Sequence, residues 1–224
     1  MQRASGQGST ASEHLERARQ HQHRGEWQAA VLEYRTALQL EPDSVAGHHN
    51  LGMVLEVIGD LDNAIAEYRH AIHLSPDLLC VHGNLGIALQ SKGDLDGAIA
   101  EHRTVLRLRL SPNDPRAHNN LGCALFAKGE IDAAMTEFRS ALSLDPDYAD
   151  AHANLGNGLH AKGDWNGALA EHWTAIRLNP TSASAHGGLG NTLKAMGDMD
   201  AAINAYRTAI KLNPYDPRGH NNLV

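Results

Sequence analysis

Asn50-Leu51-Gly52 is a three-residue stretch that returns at nearly constant intervals along the chain. It recurs as Asn84-Leu85-Gly86, Asn120-Leu121-Gly122 and Asn154-Leu155-Gly156, followed by the variant Gly188-Leu189-Gly190. The glycines of successive copies are 34, 36, 34 and 34 residues apart. A constant period of this size indicates an array of stacked structural repeats, each of which contacts mainly its neighbours.

A glycine followed by an acidic residue marks the middle of every unit. We number the positions of each unit so that Leu51 stands at position 7; position 15 is then always glycine and position 16 always acidic, as in Gly59-Asp60 and Gly129-Glu130. Glycine adopts the left-handed backbone that ends a helix, and an acidic residue suits the start of the next one. The sequence therefore predicts an all-α solenoid of antiparallel helix pairs, with helices near positions 2–14 and 17–30 and no strand.

The rest of the frame resembles the tetratricopeptide repeat (TPR). In the second unit it reads H-x2-L-G-x2-L from His48 and A-x3-Y from Ala64, with a closing Pro76. The resemblance implies a right-handed superhelix of six units, at 11–44, 45–78, 79–114, 115–148, 149–182 and 183–216. Residues 1–10 are expected to be a disordered tail, with Thr10 opening a capping box, and 217–224 the start of a truncated seventh unit. The third unit is two residues longer than the others, so we expect a local change of superhelical pitch after it.

The composition restricts the classes of function and of compartment. The chain has 224 residues and a formal net charge of −7, which argues against general nucleic-acid binding, because that needs a basic footprint. It contains no apolar run of membrane-spanning length and no signal-peptide core. The two cysteines, Cys80 and Cys123, occupy different unit positions, which disfavours a disulfide and indicates a reducing, cytoplasmic setting.

A row of asparagines is the main candidate site. The resemblance implies that positions 2, 5, 6, 9, 12 and 13 of the first helix line a concave groove. A carboxamide offers two donors and an acceptor, so such a row can bind the backbone of an extended peptide. The row is similar to the asparagine ladder in the TPR region of O-linked N-acetylglucosamine transferase, although Gly188 interrupts it. An alternative is that each asparagine caps a neighbouring backbone or is simply a solvated polar residue. The candidate groove residues are Asn50, Asn84, Asn120, Asn154, Asn119, Asn157 and Asn191.

Histidines recur at position 4, one repeat apart, which is too far for a shared metal ion; we interpret them as half-buried rings with a polar edge. His102 and His172, at position 24, are expected to be core histidines that need a partner. The lysine of a carboxylate-clamp TPR is missing at position 5, where Ala153 and Gly187 stand. No nucleophile–base pair or phosphate loop is present, so no catalytic residue, metal or cofactor is predicted.

These observations predict a non-catalytic protein–protein interaction scaffold that binds a protein or peptide segment in its groove, with no nucleic-acid or membrane partner. Self-association through the uncapped C-terminal end is a further expectation, because the stub ends before a capping helix could form. One alternative is the substrate-targeting TPR region of a larger enzyme such as a glycosyltransferase. Another is a structural self-assembly module.

Overall fold

A computed structural model describes residues 9–108 and 114–214 of the chain. These ranges contain twelve α-helices and no strand, which confirms the predicted all-α helix pairs. Each predicted unit holds one pair, which we call helix A and helix B. The helices are α1 (Ala11–His23), α2 (Trp27–Leu40), α3 (Val45–Val57), α4 (Leu61–Leu74), α5 (Leu79–Lys92), α6 (Leu95–Leu108), α7 (Pro115–Lys128), α8 (Ile131–Leu144), α9 (Ala149–Ala161), α10 (Trp165–Leu178), α11 (Ala183–Ala195) and α12 (Met199–Leu212).

The turns between paired helices form as the glycine–acid pattern predicts. All six position 15 glycines have a positive φ, and no other described residue does. The acidic residues that follow act in two ways. Asp164 and Asp198 cap helix B through their side chains, whereas the carboxylate of Asp60 instead accepts the Asn63 amide at 2.8 Å. At the start of the array, Thr10 forms the expected capping box with Glu13.

The chain divides into two compact units, Met1–Leu110 and Ser111–Val224, which we call block 1 and block 2. Block 1 contains α1 to α6 and block 2 contains α7 to α12, three helix pairs each. Within a pair, the position 8 glycine of helix A lies against the position 24 ring of helix B. A Cβ added to Gly52 would stand 2.6 Å from the Tyr68 ring, and one added to Gly122 would stand 2.5 Å from Phe138. The triplet glycine therefore allows the close approach that buries the aromatic side chain.

Several sequence predictions concern residues outside the described ranges. The first is the disordered tail, of which only residues 9 and 10 are described. The others are the two-residue extension of the third unit and the start of a seventh unit at 217–224. Over the described part of the chain, no helix is both long and apolar enough to cross a bilayer.

Candidate functional site

Successive A helices contact each other within each block. In block 1, α3 contacts α5 directly, and in block 2, α9 contacts both α7 and α11. No two B helices in the described ranges contact each other to the same extent. Equivalent residues on successive A helices are therefore closer together than those on B helices. The residues predicted to form the groove floor are therefore described as two segments, one per block.

Asn84 connects α5 to α3 in block 1. Its Nδ2 lies 3.0 Å from Nε2 of His49, the position 5 residue of the preceding unit. Burial lowers the pKa of His49 below its usual value, so the ring is neutral at pH 7. A neutral imidazole can accept the amide hydrogen at Nε2 when its proton is on Nδ1. The position 6 asparagine thus joins one repeat to the repeat before it.

Asn154 makes the equivalent connection in block 2. Its Nδ2 donates to Oδ1 of Asn119 at 2.9 Å and to Sγ of Cys123 at 3.3 Å. Both amide hydrogens are used, which leaves Oδ1 of Asn154 as an acceptor. Burial, with Asp150 nearby, raises the pKa of the Cys123 thiol to about 11. A thiol that stays protonated is not an activated nucleophile, so its role here is to accept a weak hydrogen bond.

Asn50 and Asn120 are the two members of the row without such a bond. Both side chains are half-buried, and neither hydrogen-bonds to another residue in the described ranges. The reason lies at position 5 of the preceding units, where Leu15 and Gly83 offer no polar side chain. The row therefore alternates between free amides, at 50 and 120, and amides bonded to a neighbouring repeat, at 84 and 154.

Asn157 and Asn191 lie at position 9 on α9 and α11. Oδ1 of Asn191 accepts the hydroxyl of Tyr206 at 2.8 Å, so this amide is oriented by helix B of its own unit. Oδ1 of Asn157 lies beside Gly188, 2.9 Å from where a Cβ of that glycine would stand. Together with Asn119, which is only 6% exposed, these residues border the row rather than extend it.

Gly188 interrupts the asparagine row because it lies against the ring of His172. A Cβ added to Gly188 would overlap Cε1 of that ring. His172 is fully buried, and neither of its nitrogens has a hydrogen-bond partner among the described residues. Burial, with His160 nearby, lowers the pKa of His172 to about 4. The prediction of a core histidine is confirmed, but the expected partner is not found in the described part of the chain.

A depression of about 360 Å³ opens beside Asn84 in block 1. It is lined by Met53, Glu56 and Val57 of α3, Tyr68 of α4 and Asn84 itself. The Tyr68 hydroxyl donates to Oε2 of Glu56 at 2.8 Å, and burial together with this bond raises the pKa of Tyr68. Its volume is at the lower end of the range for ligand pockets, about 300–1,000 Å³, which suits an amino-acid side chain.

The position 4 histidines hold the two helices of their own units together. In five units, Nδ1 lies 2.6–2.7 Å from a glutamate 19 residues later on helix B. In three units, Nε2 also lies 2.8–2.9 Å from the carbonyl of the preceding unit's proline, as in His48 with Pro42. No three His, Cys, Asp or Glu residues in the described ranges are arranged to hold a metal ion. The histidine row consists of structural contacts.

Sequence reasoning missed the bonds between repeats, although a signal for them exists. His49 and Asn119 are polar at position 5, one unit before Asn84 and Asn154, whereas Leu15 and Gly83 are not. A pairing rule between positions 5 and 6 of successive units would have identified both bonds. The contact between His172 and Gly188 has no such signal, because His102 also occupies position 24 but is followed by Asn120.

Family models for the tetratricopeptide repeat match most of the array. A model described as "TPR repeat" matches residues 23–56, 122–161 and 156–197. Two models described as "Tetratricopeptide repeat" match residues 183–216 and 45–78. Together these matches cover more than half of the chain. No curated protein matches it.

Solved structures share the fold at low sequence identity. PilW, a type IV pilus biogenesis factor, is 17% identical, with 96% of this chain and 98% of PilW covered and a TM-score of 0.81. A chain of the APC/C hetero-tetramer Cut9–Hcn1 is 18% identical with a TM-score of 0.79; the match covers 96% of this chain but 42% of that one. YrrB, a TPR protein with an unusual peptide-binding site, is 19% identical, with 84% and 96% covered and a TM-score of 0.57. At these identities the likeness shows the fold alone.

Proposed function

We propose that this chain, which belongs to the tetratricopeptide repeat family, is a non-catalytic scaffold whose A helices bind an extended peptide. TPR repeats indicate a protein–protein interaction scaffold; the mode of binding and the residues that carry it are the proposal. Of the six units bounded as the sequence predicts, the second to the fifth present a position 6 asparagine to the ligand. In block 1 a main chain lies along Asn50 and Asn84, and in block 2 a main chain lies along Asn120 and Asn154, with Asn119, Asn157 and Asn191 at its border.

One observation carries this proposal. The hydrogen bonds between repeats orient the asparagine side chains but leave some of their donors and acceptors available for a ligand. Asn154 uses both amide hydrogens internally and keeps Oδ1 as an acceptor, and Asn84 keeps Oδ1 and one hydrogen. Asn50 and Asn120 keep all their hydrogen-bonding groups. A peptide backbone offers donors and acceptors along its whole length, so the free amides and the remaining acceptors of the row can both bond to it. A polar group that is already oriented loses less entropy when it binds.

The depression beside Asn84 supports the same mode of binding. A main chain hydrogen-bonded to Asn84 places a side chain over Met53 and Val57, and Val57 is 60% exposed without a ligand. Burial of one apolar side chain there contributes roughly 1.5–3 kcal/mol. YrrB, which shares the fold, is a TPR protein with a peptide-binding site, and this makes a peptide a reasonable first ligand to test.

The test is a binding titration with peptides selected from a random library against the wild-type chain. Each lost hydrogen bond is expected to contribute about 0.5–1.5 kcal/mol. The quadruple variant Asn50→Ala, Asn84→Ala, Asn120→Ala and Asn154→Ala should therefore bind roughly 30-fold more weakly or worse, if the effects add. Fluorescence anisotropy of labelled peptides measures the change.

The matched control removes two asparagines from the outer side. Asn166 and Asn204 lie on B helices and are exposed, so Asn166→Ala with Asn204→Ala should leave the affinity within about twofold. Circular dichroism confirms that each variant is folded before it is titrated. Equal affinities of the quadruple and control variants would refute the groove, and a library that yields no binder would refute peptide binding itself.

A further inference from the structure

The outer side of block 1 carries a row of exposed arginines that the groove does not use. Position 25 on the B helices is arginine in all three units of this block, at Arg35, Arg69 and Arg103. Arg107, at position 29, lies one turn after Arg103 on the same helix face. All four side chains are exposed, and none makes an ion pair or hydrogen bond with another described residue. We call these four residues the outer arginine row.

No acidic side chain lies next to this row along its helices. On a helix, neighbours on one face are three or four residues apart. The residues at these spacings from Arg35, Arg69 and Arg103 are all apolar, neutral or basic; Ala66 and Ala100, for example, precede Arg69 and Arg103. Residues 9–108 contain eight Lys and Arg against fourteen Asp and Glu, and four of those eight cations are in the row. Half of the cations of residues 9–108 therefore lie in the row, in a block that is acidic in total.

Helix electrostatics do not account for these positions. Cations stabilise the negative end of a helix, but the effect is confined to its last turn. Helix B ends at position 30, and Arg35 and Arg69 lie before the last turns of α2 and α4. Only Arg107 lies in such a turn. Exposed arginines that are neither paired nor placed to stabilise the helix are available for a partner.

We propose that the outer arginine row binds an acidic protein segment, independently of the groove. The guanidinium is planar and always charged, and it binds carboxylates through two parallel hydrogen bonds. Small neighbours such as Ala66 and Ala100 leave room for a chain to lie across successive B helices. A DNA duplex or an anionic membrane would instead bring a dense field of negative charge onto the fourteen carboxylates of residues 9–108. A short acidic segment can contact the row alone.

The experiment titrates a fluorescein-labelled Glu-rich peptide against the full chain at low and physiological salt. The variant Arg35→Glu, Arg69→Glu and Arg103→Glu reverses the charge at the three position 25 arginines of the row. The control, Arg24→Glu, Lys92→Glu and Lys162→Glu, changes the net charge equally at exposed sites outside the row. We expect the row variant to bind about tenfold more weakly or worse than the control variant, and salt to weaken binding to the wild type. Equal affinities for the two variants would overturn the proposal.

Two further parts of the experiment test whether misfolding explains the loss of binding and which class of partner binds. Arg35→Gln, Arg69→Gln and Arg103→Gln removes the charge without reversing it, so it should remain folded and still lose most of the affinity. A DNA duplex and phosphatidylserine vesicles should each bind more weakly than the Glu-rich peptide; tighter binding of either, with the same dependence on the row, would overturn an acidic protein segment as the partner. The quadruple asparagine variant should bind the Glu-rich peptide normally, which separates this surface from the groove.

Discussion

Blocks 1 and 2 make the same contact between neighbouring A helices with different chemistry. In block 1, Asn84 bonds to the half-buried ring of His49, and in block 2, Asn154 bonds to the buried amide of Asn119 and the thiol of Cys123. The asparagine is constant while its partner changes. The difference teaches that the same asparagine amide can join two repeats through chemically different acceptors.

The ring at position 24 varies within each block rather than between the blocks. In block 1, Tyr68 hydrogen-bonds to Glu56, and in block 2, His172 is buried against Gly156 and Gly188 without a partner. Block 1 also contains a histidine at position 24, His102, whose buried Nε2 has no hydrogen-bond partner among the described residues. Each block thus carries one buried histidine in a slot that tyrosine or phenylalanine fills elsewhere.

The largest expected effect is the acid sensitivity of these two histidines. Burial lowers the pKa of His102 and of His172 to about 4, from about 6.5 in the unfolded chain. Since the folded pKa is depressed, the unfolded chain takes up protons at a higher pH than the folded chain does. The full free energy of unfolding is therefore present above pH 6.5, and it decreases as the pH falls towards 4. At pH 4 the loss should be about 3 kcal/mol for each histidine. Urea denaturation of the wild type and of His102→Phe between pH 7 and 4 measures it.

The variant His102→Phe should have a higher free energy of unfolding at neutral pH than the wild type, because Phe138 fills the same slot against Gly122 in block 2. That free energy should also change less between pH 7 and 4. His172→Phe should gain less, because its ring also presses on Gly188. An unchanged pH dependence in His102→Phe would show that His102 is not a source of the acid sensitivity.

A smaller effect is expected from filling the interruption in the row. Gly188→Asn would place a side chain on the His172 ring, and overpacking of this kind costs about 1–3 kcal/mol. Gly187→Asn is the matched control, because a Cβ there meets no atom within 4 Å. Thermal melts should show destabilisation for Gly188→Asn and a change of only a few tenths of a kcal/mol for Gly187→Asn. Equal melting temperatures would mean that the ring moves aside.

The bonds between repeats should give the smallest effects on stability, and these should differ between blocks. Asn154→Ala leaves the buried Asn119 without its partner and should cost about 1–2 kcal/mol. Asn84→Ala leaves the half-buried ring of His49, which water can reach, and should cost about 0.5–1 kcal/mol. Asn50→Ala and Asn120→Ala, which break no internal bond, are the controls. Chemical denaturation that ranks all four variants equally would contradict the difference between the blocks.

The helix pairs could be predicted from the sequence because each follows from a local rule. Glycine at position 15, as in Gly93 and Gly163, ends every helix A in the described ranges where the sequence places it. The position 4 histidines were correctly interpreted as half-buried rings, but their glutamate partners, such as Glu67 for His48, lie 19 residues away and became visible only in the structure. Contacts within a helix pair depend on packing that no short pattern encodes.

The site itself was only partly predictable. The row of asparagines is visible in the sequence, but whether an amide is free or bonded depends on the residue one repeat earlier. Asn50 and Asn84 have identical local sequences, Asn-Leu-Gly. Only Asn84 bonds to another repeat, because position 5 of the preceding unit is His49 for Asn84 and Leu15 for Asn50. The reason for Gly188 is likewise not local, since it depends on the ring of His172 in the preceding unit.

The most direct test of peptide binding by the asparagine row is a titration of the double variant Asn50→Ala and Asn120→Ala. These two amides make no hydrogen bond within the described ranges, so the variant should fold as the wild type does. We expect peptides selected against the wild type to bind the variant roughly 5-fold to 160-fold more weakly, from two lost hydrogen bonds of about 0.5–1.5 kcal/mol each. Unchanged affinity, in a variant with unchanged stability, would contradict the claim that the row binds a main chain.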